Sequence, residues 1–385
     1  MAESLTLNAG EVTGNVVRGQ ESSSSLSQES RTTSRKHTPP STVGRGKAIR
    51  LSGSPKESMW EDEYVKVFFG DSRDYYKDWP SPAVIISDGP YGVLGFEGDT
   101  SDHFELPGWY EPHIRAWASA ATPATSLWFW NSEIGWAAVH PVLEKYGWRY
   151  VSCNIWNKGK AHIAGNVNTA TIRRLPVVTE VCVHYVLEAR INGQPLKQWL
   201  LNEWKRTGLA LRMANVACEV ADAAVRKYLD QGHLWYFPPP EMFEKLQSYA
   251  NRHGKPDGRP YFSLNGRRPA TAREWAAMRS KFKCPHGITN VWERPPLNGK
   301  ERIKVDGKNG KAVHLNQKPL DLMSMLIEAA SSTGDVVWEP FGGLFTGCVA
   351  ARKLERRAYG CEIDQTYYQY GLVRLQEARQ GVLLK

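Results

Sequence analysis

Residues 87–92 read SDGPYG and follow the apolar run AVII at 83–86. An acid, a glycine, a proline and an aromatic ring stand together where a strand should end. Asp, Gly and Pro are also turn formers, so taken alone this is also a plain strand-to-helix turn. A second stretch, EPFGGLFTG at 339–347, follows the apolar DVVW and precedes the helix-like CVAARKLE. Strand, glycine turn and helix set backbone N–H groups and a helix N-terminus at the carboxyl end of a sheet, where a ligand can approach the main chain. The turn is neither G-x-G-x-x-G nor a lysine-bearing phosphate loop, which favours an uncharged or zwitterionic cofactor over a phosphate. The next strand ends in GCEID, which places Glu362 to accept hydrogen bonds from ribose hydroxyls.

The elements that position these residues follow from periodicity. YVKVFFGDS (64–72) alternates and ends in a loop, and AVIISDGPYG (83–92) is apolar throughout, as a parallel strand buried on both faces must be. FELPGWYEPHIRAWASAA (104–121) reads as a helix entered through a Pro-Gly turn, TSLWFWNS (125–132) as a strand, and IGWAAVHPVLEKYG (134–147) as a helix ending at Gly147. YVSCNIWNKG (150–159) and VVTEVCVHYV (177–186) are two more strands. After a polar, basic and aromatic stretch, NQKPLDLMSMLIEAASS (316–332) is a helix, and GDVVWEPFGG (334–343) and RRAYGCEID (356–364) are strands. The pattern is an α/β sheet with helices on both faces, interrupted by an insert. We divide the chain into a basic tail at 1–58, expected to be disordered for want of apolar periodicity, a catalytic half at 59–186, an insert at 187–296 and a cofactor half at 297–385.

Length and charge narrow the function. The chain has 385 residues and a formal net charge of +9, which favours a polyanionic partner. Six scattered cysteines form no C-x-x-C pair, so neither a metal site nor a disulfide framework is expected. No apolar run is long enough to span a bilayer and no signal peptide opens the chain, so the expectation is a cytoplasmic protein without a membrane partner.

The ordered set GDS, SDGPYG, NQKP, EPFGG and GCEID resembles the beta-class DNA amino-methyltransferases, in which a D-P-P-Y-type motif precedes the target-recognition region and D-P-F-x-G follows it. The resemblance spans about 64–379 outside parts of the insert. It implies a Rossmann-like methyltransferase sheet with an inserted, mainly helical target-recognition region, S-adenosylmethionine as cofactor, double-stranded DNA as partner and a cognate restriction endonuclease as a candidate second partner. Carried over by position, Asp88, Gly89, Pro90 and Tyr91 are catalytic. Glu339, Phe341 and Gly343 lie in the cofactor turn, Glu362 binds ribose, Asp71 lies near adenine, and Asn316, Lys318 and Pro319 lie near the methionine end. Three departures stand out: Glu339 for Asp, GGLFTG for the common G-S-G-T, and Gly89 for the first proline.

The chemistry implied is methyl transfer from a sulfonium to an exocyclic amine whose lone pair is delocalised into the base. The carboxylate of Asp88 and the carbonyl of Gly89 are the expected acceptors for the amine hydrogens, with Pro90 fixing the backbone. Tyr91 is the expected stacking surface, and the base must be flipped to reach it. Asp88 at the first motif position favours adenine N6. The preceding Ser87 leaves cytosine N4 open, because serine leads the motif in the cytosine enzymes.

Within the insert, LALRMANVACEVADAAVRKYL (209–229) has apolar Leu211, Ala214, Cys218, Val220, Val225 and Tyr228 at helical spacing and resembles a helix-turn-helix. Residues 221–229 are its recognition helix, with Arg226 and Lys227 facing DNA and Glu219 where a turn glycine is common. Thr271 and Glu274 form a capping box opening a helix that carries Arg273, Arg279 and Lys281, candidate phosphate contacts. An ordinary helical hairpin and a solvated charged face explain the same residues. Two rivals remain: an RNA or protein methyltransferase on the same sheet, and a helix-turn-helix DNA-binding protein with an inactive catalytic domain.

Overall fold

The computed structural model describes residues 58–93, 102–160, 171, 173, 175–230, 232, 234–299, 301–305 and 310–379. The expected disordered tail lies outside them, apart from Ser58. Continuously apolar strands demand a cover on each face, and the topology supplies it. The strands are β1 (Met59–Glu61), β2 (Val65–Phe69), β3 (Val84–Ser87), β4 (Ser126–Asn131), β5 (Trp148–Asn157), β6 (Thr179–Leu187), the short ribbon β7 (Arg190–Ile191) and β8 (Gln194–Pro195), β9 (Val291–Glu293), β10 (Val336–Glu339) and β11 (Arg357–Glu362). Among the described residues nine strands form one sheet in the order β1-β2-β11-β10-β3-β4-β6-β5-β9. β2, β11, β10, β3 and β4 run parallel, whereas β6 is antiparallel to both neighbours, β4 and β5.

Helices α1 (Leu106–Ala120) and α2 (Glu133–Lys145) follow β3 and β4, and α7 (Leu320–Ala330), α8 (Thr346–Lys353) and α9 (Gln365–Arg379) belong to the last third of the chain. Two buried clusters result. One joins the sheet to Leu326, Val349 and Leu375, and the other joins it to Ile114, Trp117 and Leu143. The expected Pro-Gly turn before α1 is instead its first turn. Proline is tolerated there because that N–H has no partner within a helix.

The insert carries α3 (Leu196–Arg206), α4 (Met213–Ala217), α5 (Pro240–His253) and α6 (Ala272–Ala276), packed around their own core of Trp204, Phe243, Phe262 and Trp275. The helix-turn-helix reading is modified. α4 has one turn and a bit, Glu219 takes the left-handed conformation at φ 56°, and Val225–Leu229 is a π-helical turn. Ala214, Cys218 and Tyr228 are buried as expected, but Leu211 is exposed. The Thr271 capping box forms, yet α6 stops at Ala276, so Arg279 and Lys281 lie beyond the helix.

The insert also leaves the sheet at one particular edge. Leu187, ending β6, pairs with Trp148 at the start of β5, and Val186 pairs with Ser126 at the start of β4. Lys281 meets Asp335, just before β10, at 2.7 Å, and the Lys283 N–H bonds the Ala329 carbonyl at 2.8 Å. The insert therefore begins at the amino ends of the parallel strands and touches them again at Lys281 and Lys283, before β9 rejoins the sheet.

Candidate active site

Asp71, Asp88, Glu339 and Glu362 stand at or just past the carboxyl ends of β2, β3, β10 and β11, which are neighbours in the sheet. This is where ligands bind in open α/β sheets. A cavity of about 270 Å³ opens there. Of the expected catalytic and cofactor residues, Asp71, Asp88, Gly89, Pro90, Tyr91, Asn316, Lys318, Glu339, Phe341, Gly343 and Glu362 line it, while Pro319 precedes α7 outside it. Arg226, Lys227, Arg273, Arg279 and Lys281 do not line it. Arg226 is exposed beside Asp222, Lys227 lies over the Tyr236 ring, Arg279 over Phe237, and Lys281 is paired with Asp335. The fifth, Arg273, sits exposed in α6.

The SDGPYG turn is held from three sides. The Pro90 carbonyl accepts from the Tyr110 hydroxyl and from Asn131 Nδ2, both at 3.0 Å. Gly89 has its backbone against neighbours. A Cβ there would come within 2.7 Å of the Tyr110 hydroxyl and 2.8 Å of the Phe341 ring. That explains the missing proline: its ring would occupy space already filled. The Gly89 carbonyl takes no hydrogen bond from any described residue. Asp88 Oδ1 accepts from the Tyr91 hydroxyl at 2.9 Å and from Lys318 Nζ at 2.7 Å.

Lys318 is buried at 3 % exposure and lies 3.6 Å from Glu180, which in turn meets Lys158 at 2.9 Å. Two carboxylates and two ammoniums thus alternate beneath the cavity. Burial opposes the charge on Lys318, but Asp88 and Glu180 outweigh it and hold its ammonium above the usual range. Burial raises Asp88 above the usual carboxylate range while Lys318 pulls the other way. The resemblance puts Lys318 near the methionine end of a cofactor; it lines the cavity, and its ammonium also braces Asp88.

The cofactor turn departs from the family pattern for a visible reason. Phe345, at the position of the second glycine of G-S-G-T, adopts φ 54° and is fully buried. Its ring rests on Gly342, where a Cβ would come within 2.3 Å of it, and on Gly371, where one would come within 2.5 Å. Such a backbone costs about 1–3 kcal/mol in a non-glycine residue and persists only when surroundings hold it. Glu339 caps α8, accepting the Gly347 and Cys348 N–H groups at 2.7 Å each. These two helix-terminal donors are consumed internally. Arg374 completes the support with bonds to the Leu344 carbonyl at 3.0 Å and the Thr346 hydroxyl at 2.7 Å.

Glu362 accepts from the Gly343 N–H at 2.6 Å and the Asp364 N–H at 2.7 Å, which orients both oxygens at the cavity wall. Burial pushes both Glu362 and Glu339 up to about 7. Asp71 is held bidentately by Arg73. Phe341 packs among Trp109, at 5.2 Å, and His113, at 5.0 Å. A carboxylate for hydroxyls, an aromatic wall and a close glycine backbone suit a nucleoside with a zwitterionic tail.

Tyr110, Asn131, Glu180 and Lys158 escape the sequence reading. Asn131 carries a signal, a polar residue closing the apolar strand SLWFWN at the ligand-binding edge. Tyr110 is one more apolar position on α1, and Glu180 one acid among many. Among the described residues no group of three or more His, Cys, Asp or Glu side chains could hold a metal ion, and no helix is long and apolar enough to cross a membrane.

With the fold and site in hand, comparison places the chain. It belongs to the DNA methylase family of N6/N4 methyltransferases, whose model matches residues 83–372. Type II methyltransferase M1.MboII of Moraxella bovis is 38 % identical over 88 residues, 22 % of this chain and 33 % of that protein. Type II methyltransferase M.HinfI of Haemophilus influenzae is 38 % identical over 90 residues, 23 % of this chain and 24 % of that protein. The chain thus spans a third or less of the length of these curated relatives. Solved structures with a similar outline include TTHA0409 of Thermus thermophilus complexed with S-adenosyl-L-methionine (TM-score 0.43, 15 % identity, 83 % of this chain and 96 % of that one). The cytosine-N4-specific PvuII DNA methyltransferase (TM-score 0.45, 12 % identity, 84 % and 93 %) is another.

Proposed function

We propose that this chain transfers a methyl group from S-adenosylmethionine to the exocyclic amine of a flipped base in double-stranded DNA, with adenine N6 as acceptor. Asp88 carries the reading. Its carboxylate opens into the cavity that holds the glycine turn and Glu362, beside a Gly89 carbonyl that no described residue engages. Asp88 and Gly89 accept the amine hydrogens and localise the nitrogen lone pair, and because both are fixed beforehand they cost little reorganisation. S-adenosylmethionine, when bound, supplies an electrophilic methyl group. Glu362 takes its ribose hydroxyls, Phe341 and Asp71 its adenine, and the Gly343 backbone its close approach. Tyr91 offers the base a stacking face. Alignment of the amine with the methyl group adds the proximity contribution.

Adenine is favoured over cytosine by the register. Ser87 is fully buried in β3 and lines no part of the cavity, whereas Asp88 lines it, which supports Asp88 as the first motif position. A cognate restriction endonuclease belongs to the same proposal. The test is methyl transfer to DNA, RNA and protein, followed by mass spectrometry of nucleosides. We expect N6-methyladenine in DNA alone, lost in Asp88→Ala with cofactor and DNA binding retained. N4-methylcytosine would refute the base, and cofactor binding without turnover on any DNA would refute catalysis.

A further inference from the structure

Among the described residues the most exposed large apolar side chains are Leu175, Phe104, Leu315 and Ile363, at 89, 77, 70 and 69 % exposure. All four sit on connections at the carboxyl edge of the sheet: β5 to β6, β3 to α1, β9 to α7, and just after β11. That edge is where ligands reach an open α/β sheet.

Leu315 is distinguished by how it is presented. Its neighbours His314 and Asn316 both line the cavity. Its carbonyl is held by Arg302 at 2.8 Å, and the same guanidinium holds the Leu297 carbonyl at 3.0 Å. The Asn316 N–H bonds His314 Nδ1 at 3.1 Å. The backbone on both sides is therefore braced while the side chain projects into solvent. Residues 301–305 and 310–313 double back beside it through Val305–Lys311 and Val313–Ile303 bonds of 3.0 and 2.9 Å. Lys304 and Lys311 are exposed on these arms.

We propose that Leu315 is a wedge that enters the DNA base stack at the place the flipped base leaves, while Lys304 and Lys311 meet the flanking phosphates. This rests on the amino-methyltransferase reading. A base reaching Asp88 must leave a gap in the duplex, and filling it with an apolar side chain offsets the lost stacking. A wedge must be stiff as well as apolar, which the Arg302 brace provides. The charged arms supply the sequence-independent attraction that seats it.

The experiment uses the full chain and a duplex bearing its own methylated sequence, made in two forms, one fully paired and one with the target base mispaired. Mispairing lowers the flipping cost independently of any wedge. Leu315→Ala should lower kcat/KM on the paired duplex by about tenfold or more, but on the mispaired duplex by about threefold or less. Calorimetric affinity for S-adenosylmethionine should be unchanged, and Leu315→Met should restore activity. An equal loss on both duplexes, or none on the paired one, overturns the wedge. A wild-type chain that methylates no DNA overturns the underlying reading, and the wedge with it.

Discussion

Lys318 donates to Asp88 at 2.7 Å across 230 residues of chain, and its ammonium stands 3.6 Å from Glu180. The contact joins the loop before α7 to the turn after β3, and so ties NQKP to the acid of SDGPYG. Removing one partner of a buried pair leaves an uncompensated charge. Lys318→Met should therefore destabilise the fold by about 3–5 kcal/mol. Adding Glu180→Gln should recover part of that loss, because one carboxylate no longer faces Asp88 unscreened. Denaturant unfolding of the single and double variants measures both effects. A single variant as stable as wild type would mean the pair contributes nothing.

Gly89 is enclosed by Tyr110 and Phe341. Gly89→Ala should cost about 1–3 kcal/mol, as overpacking does, and should displace the carbonyl assigned to the amine. Gly89→Ala,Tyr110→Phe removes the closer obstacle and should regain stability. Thermal melts with transfer assays on both variants check this. A Gly89→Ala variant with wild-type melting would show that the neighbours yield freely.

Glu362, raised to about 7, sets a pH dependence. In the role proposed for it the ionised form accepts ribose hydroxyls, so S-adenosylmethionine affinity should rise as pH rises through about 7. Glu362→Gln should bind more weakly and flatten that profile. The sign for folding is opposite. A carboxyl raised in the folded state binds its proton more tightly there, so the stability it contributes falls as pH climbs from the unfolded value toward 7. Calorimetry across pH 5.5–8.5 is the measurement, in the range where roughly one proton is linked to binding. An affinity independent of pH would place Glu362 away from the ribose.

The place of each basic group predicts its effect on DNA. Lys304→Ala and Lys311→Ala should each reduce the salt slope of DNA binding by about 1. Arg226→Ala, in the insert and outside the cavity lining, should leave methylation of a short duplex nearly unchanged. Filter binding at several salt concentrations separates them. If Arg226→Ala relaxes preference at one base pair, the insert reaches the methylated site after all.

The strands and turns were legible because their signals are local. Apolar runs such as AVII and DVVW name buried parallel strands, and the acids that close them fall at the carboxyl edge by chain geometry alone. Asp88, Glu339 and Glu362 could therefore be singled out from order and type. The Thr271 capping box was readable for the same reason, being an exchange of hydrogen bonds within one helical turn. What only the tertiary structure decided are relations between distant segments. The path of β6, antiparallel to β4 and β5, makes the chain enter the insert at the amino edge, and hydropathy is blind to strand direction. Gly89 and Phe345 look like flaws in a motif until Tyr110, Phe341 and Gly371 show what fills the space around them. Sequence neighbours alone place Lys318 with the cofactor. A long, buried ammonium goes where opposite charge compensates its lost hydration, and only the folded chain brings Asp88 and Glu180 to that point.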